Sequence, residues 1–87
     1  MNMRKYPLLN KNYRTIAENC KKWRKQHGYT QEQIALSITH ISRKTVSGFE
    51  CGRQFSERIL LWYLVNGMTK DELLEGTTKF MGYLRND

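Results

Sequence analysis

Glycines and hydroxyl-bearing residues stand in this 87-residue chain where helices end and begin, and they cut it into short helical pieces. Ile16, Cys20, Trp23 and His27 recur at helical spacing from Asn12 onward, until Gly28 ends the run. Thr30 then opens Thr30-Gln31-Glu32-Gln33, in which the hydroxyl and the amide three positions on can satisfy each other's backbone donors, and Ile34, Ala35 and Ile38 point inward behind it. After a break at Thr39-His40-Ile41, Ser42 is placed to cap a third helix that Gly52 stops. Ser56 opens a fourth that ends at Asn66-Gly67, and Thr69 with Glu72 repeats the reciprocal cap before Leu73, Leu74 and Gly76. The expected fold is all-α: a compact bundle of four to five short helices around one small core. Residues 1–11, with the single proline Pro7, read as a basic, extended arm; residues 12–76 form the helical domain; residues 77–87 are a tail or short helix.

Residues 59–65 are apolar around the whole helical circumference, so the fourth helix must be covered on more than one side. At seven residues, this longest apolar run is far short of the roughly 20 needed to span a membrane, and residues 1–12 hold no stretch resembling a secretion signal. A cytoplasmic protein with reduced cysteines is expected, with no membrane partner. Cys20, His27, His40 and Cys51 come in an order that matches no usual zinc spacing, so no metal and no cofactor is expected. No nucleophile, base and orienting group stand at usable spacing, which argues against an enzyme.

Charge is unevenly distributed. The formal charge is +7, but residues 1–53 carry eleven Lys or Arg against three Glu, a net +8, and the remainder is net −1. Such a basic block points to a polyanion.

Two stretches sharpen that expectation. Thr30-Gln31-Glu32-Gln33-Ile34-Ala35 follows the pattern T-Q-x-x-L-A, with Ile in place of Leu. Ser42-Arg43-Lys44-Thr45-Val46-Ser47-Gly48-Phe49-Glu50-Cys51-Gly52 follows S-x-x-T-(I/V)-S-x-(I/F/L/W)-E-x-G. In these residues the chain resembles the lambda-repressor and Cro family of helix-turn-helix DNA-binding domains, which many bacterial and phage regulators share. The likeness runs from the first helix to Gly52 and more loosely to Leu74. One departure concerns the turn, where the family usually has a single glycine before an apolar residue and this chain has Thr39 and His40 between Ile38 and Ile41. The resemblance implies that Gln31 and Thr45 contact phosphates, and that Arg24 and Glu50 form an internal ion pair, removing Arg24 from the DNA-facing set.

Elementary geometry gives the same partner. A helix about 10–12 Å across fits a major groove about 12 Å wide. Arg43 and Lys44 open the third helix with donors suited to guanine, and Ser47 lies one turn on. Gly48 either admits a close approach to a thymine methyl or has no role beyond weakening the helix. Arg53 is placed to clamp the backbone, and His40 is either a phosphate donor or a solvated turn residue. Arg4, Lys5 and Lys11 either follow the DNA or form an untidy terminus.

A single helix-turn-helix reads few base pairs, so a homodimer on two half-sites about 34 Å apart is expected. Its surface is sought among Leu61, Trp62 and Val65, or in the tail at Phe80, Met81, Tyr83 and Leu84. The resulting expectation is a sequence-specific transcriptional regulator, a repressor that occupies a palindromic operator in double-stranded DNA. The competing expectation is an interaction module that binds a regulatory protein through the fourth helix and tail.

Overall fold

The computed structural model describes residues 11–77, in which five helices follow one another with no strand among the described residues. They are α1 (Lys11–Gln26), α2 (Gln31–Ser37), α3 (Arg43–Glu50), α4 (Glu57–Val65) and α5 (Lys70–Leu74). The fold is a small all-α bundle. α1 begins at Lys11, so that residue belongs to the first helix and not to the arm. The tail residues Phe80, Met81, Tyr83 and Leu84, and Arg4 and Lys5 of the arm, lie outside the described residues.

Local chemistry explains where each helix starts. The Thr30 hydroxyl accepts from the Gln33 N–H at 3.0 Å while the Thr30 N–H donates to Gln33 Oε1 at 2.7 Å. Thr69 and Glu72 repeat this arrangement at the start of α5, and Ser42 and Ser56 cap α3 and α4 with their hydroxyls. The Thr69 N–H holds the Glu72 carboxyl below its ordinary value. Helix ends share a second device. At the end of α3 the Gly52 N–H donates to the Phe49 carbonyl at 3.1 Å and the Arg53 N–H to the Gly48 carbonyl at 3.0 Å, and the same paired bonds close α1 and α4. Gly52 has φ 76°, and its bare Cα sits so close to the Arg14 side chain that an added Cβ would lie 2.7 Å from Arg14 Cγ.

The core is built from one stripe of each helix: Ile16, Cys20 and Trp23 of α1, Ile34 and Ala35 of α2, Val46 and Phe49 of α3, Ile59 and Tyr63 of α4, Leu73 and Leu74 of α5, with Met68 between the last two helices. In α1, α3 and α4 these residues recur at spacings of three and four, those of an amphipathic helix, while the shorter α2 and α5 each contribute an adjacent pair. α2 packs on α3, and α1 packs on both α3 and α5. Asn19 of α1 ties the far end of α5 by donating to the carbonyls of Leu73 at 2.9 Å and Glu75 at 2.8 Å. Each large apolar side chain fully removed from water contributes about 1.5–3 kcal/mol.

Among the described residues, 11–77, α4 is not covered on every side. Ile59 and Tyr63 are buried and Leu60 and Trp62 are partly so, but Leu61 is 51% and Val65 81% exposed, with Leu64 at 36%. Trp62 packs edge-on against Tyr29, ring centroids 5.0 Å apart. Trp62 therefore belongs largely to the chain's own packing, while Leu61 and Val65, four residues apart and so on one face, point outward. No helix of the described residues is long and apolar enough to cross a membrane.

Candidate nucleic-acid interface

The segment from α2 to α3 places the basic residues of the sequence motif. The two helices are joined by residues 38–42, and the backbone reversal falls at His40, whose φ of 61° puts a non-glycine residue in the left-handed region. Histidine is among the residues that tolerate this conformation better than most. Arg58, reaching from α4, donates to the Thr39 carbonyl at 2.8 Å and fixes the turn from outside. His40 itself is exposed.

A buried carboxylate sets the relation between the helices. Glu50, at the end of α3, receives Arg24 Nε at 2.8 Å and Arg24 Nη2 at 3.0 Å in a two-pronged pair. Gln31 Nε2 donates to it at 3.1 Å, and the Tyr63 hydroxyl also donates to it. One side chain thus gathers partners from α1, α2 and α4, and the remaining Arg24 nitrogen donates to the Tyr29 carbonyl at 3.0 Å. Its hydrogen bond to Glu50, more than any other influence, raises the Arg24 pKa above its ordinary value. Burial, with the Glu50 bond second, pushes the Tyr63 phenol well up, so it remains a donor.

On the outer side of α3, Arg43 and Lys44 are exposed and Ser47 is half-buried. Together with Gln31 these three line one shallow hollow where the first turns of α2 and α3 meet. Four of the residues assigned to DNA from the sequence are therefore brought together. Gln31 lines the hollow while one of its amide hydrogens is engaged by Glu50. The Thr45 and Ser42 hydroxyls pair at 3.1 Å, which places Thr45 within the cap of its own helix. Arg53 is exposed just past the Gly52 turn and is not among the residues that line that hollow. Gly48 does not present an open gap, because the Gln54 side chain lies across it.

Among the described residues no cluster of His, Cys, Asp and Glu gathers as a metal site would. Cys20 is fully buried beside Met68, its sulfur 4.0 Å from the thioether, and burial raises its thiol far above the ordinary value. Cys51 is exposed at the end of α3. His27 stacks on Trp23 with ring centroids 4.0 Å apart.

Three residues that matter here are not singled out by the sequence pattern: Tyr63, one of the seven residues of the apolar run; Arg58, in the first turn of α4; and Gln54, in the link after α3. The only local hint was the lone hydroxyl of Tyr63 in an otherwise apolar run, since a buried phenol usually requires an acceptor. Set beside known protein families, curated proteins and solved structures, the chain matches none of them.

Proposed function

We propose that this protein is a sequence-specific DNA-binding regulator of transcription, a helix-turn-helix repressor of the lambda-repressor and Cro kind that lays α3 in the major groove. The observation that carries this reading is the shared hollow of Gln31, Arg43, Lys44 and Ser47 at the first turns of α2 and α3, held in place from behind by the buried Glu50 cluster. Donors at that edge suit both the anionic backbone and the acceptors of guanine. Arg43 and Lys44 read bases with Ser47, while Gln31, Thr45, Arg53 and, at the turn, His40 contact phosphates. Arg24 is neutralised within the fold and adds nothing to the DNA. The working form is a cytoplasmic homodimer on a palindromic site, joined through the outward face of α4 at Leu61 and Val65.

The test is gel retardation with the DNA upstream of the protein's own gene, titrated with salt. Specific binding whose log affinity falls linearly with log salt is expected. Arg43→Ala or Lys44→Ala should cost about 1–3 kcal/mol of discrimination at one base pair, and Arg53→Ala should weaken all sequences alike. Equal affinity for random DNA refutes sequence-specific regulation.

The exposed Leu61, Leu64 and Val65 favour a second reading, an interaction module that binds a regulatory protein through α4. Under that reading, α3 substitutions leave function unchanged and α4 substitutions abolish it.

A further inference from the structure

The loop after α3 carries a side chain onto its outer face. Gly48 stands four residues after Lys44, so the two share one side of the helix. A methyl group added at Gly48 would lie 3.1 Å from Gln54 Cδ, 3.2 Å from Oε1 and 3.3 Å from Cγ, so the Gln54 carboxamide lies against the glycine. The chain on either side of Gln54 is pinned. The Arg53 N–H donates to the Gly48 carbonyl at 3.0 Å, and the Phe55 ring packs against Phe49 and Tyr13 with centroids 6.2 and 5.7 Å away. Gln54 is exposed, and its carboxamide makes no hydrogen bond among the described residues.

We propose that Gln54 is a base-reading residue, delivered from the loop onto α3 with Gly48 as its seat, and that it selects an adenine beside the bases read by Lys44. The proposal rests on the DNA-binding reading above. Its chemistry differs from that of the helix's own side chains. Arg43 and Lys44 offer donors only, suited to guanine, whereas a carboxamide offers a donor and an acceptor side by side, matching adenine N7 and N6 in the major groove. A side chain on position 48 itself would occupy the space that Gln54 uses, so the glycine and the glutamine act together.

The test is selection from a randomised duplex library by the full chain, its Gln54→Ala variant and its Gly48→Ala variant. The expected result is that the wild type enriches a site with a preferred adenine, and that Gln54→Ala lowers preference at that one position by about ten- to a hundredfold while the others hold. Gly48→Ala should lower the same preference by crowding the carboxamide. Alanine is the better helix former, so loss of folding is not the expected cause, and circular dichroism of each variant checks this. If Gln54→Ala enriches the wild-type site unaltered, or loses affinity equally at every position, the proposal is overturned and the DNA-binding reading stands. If the wild type enriches no sequence, the DNA-binding reading fails and the proposal falls with it.

Discussion

Glu50 shows why a single buried charge can organise a chain this small. A carboxylate removed from water costs several kcal/mol unless donors replace the lost solvent, and here Arg24, Gln31 and Tyr63 supply them from three other helices. Removing one partner leaves the buried carboxylate short of a donor that no water replaces. Arg24→Ala is expected to destabilise the fold by about 3–5 kcal/mol, and Tyr63→Phe by about 1.5–3 kcal/mol, both measured by urea unfolding. If Arg24→Ala unfolds at the wild-type midpoint, the cluster is not the organiser described. Alkaline pH supplies a second measurement. Cys20 and Tyr63 have folded pKa values raised above their ordinary 9.0 and 10.0, mainly by burial. The folded chain therefore holds protons that the unfolded chain releases, and stability is intact below about pH 9 and falls as pH rises beyond it. A melting temperature that stays flat between pH 9 and pH 11 contradicts this. Cys51 is exposed, so native-state alkylation should modify it and spare Cys20.

The turn between α2 and α3 sets how α3 is presented. His40 pays a conformational cost that glycine at the same place does not, about 1–2 kcal/mol for left-handed backbone, part of which glycine returns through its greater freedom in the unfolded chain. His40→Gly is expected to raise stability by about 0.5–1 kcal/mol, seen as a higher Tm in thermal unfolding. A fall in stability shows that the imidazole contributes something the backbone does not. The start of every helix after α1 was legible in the sequence, because a cap is a contact between residues three apart and depends on nothing distant. The turn was legible only as a break. Its left-handed residue is not a glycine, and the Arg58 bond that secures it spans 19 residues.

For the whole molecule, the open question raised by the sequence was what covers an all-round apolar helix. The fold answers for Ile59, Tyr63 and most of Trp62, and leaves Leu61 and Val65 in solvent. Exposed apolar residues on one helical face are a common means of pairing two copies. Replacing both Leu61 and Val65 with lysine is expected to convert a dimer into a monomer in sedimentation equilibrium, with unchanged helicity and at least tenfold weaker binding to a two-half-site duplex. A wild-type chain that sediments as a monomer at concentrations where it binds such a duplex refutes pairing through α4.

Sequence by itself determined the helices, their caps and stops, the basic half and the residues at the head of α3, because each of these follows from contacts within a turn or from composition. It also paired Arg24 with Glu50, through resemblance to a known family. Only the tertiary structure decided that Tyr63 and Gln31 complete that pair, that Arg58 secures the turn, which side of α4 stays open, and that Gln54 covers Gly48. Each depends on the direction in which one helix packs on another, and that direction is set by the core as a whole, not by any neighbouring residues in the chain.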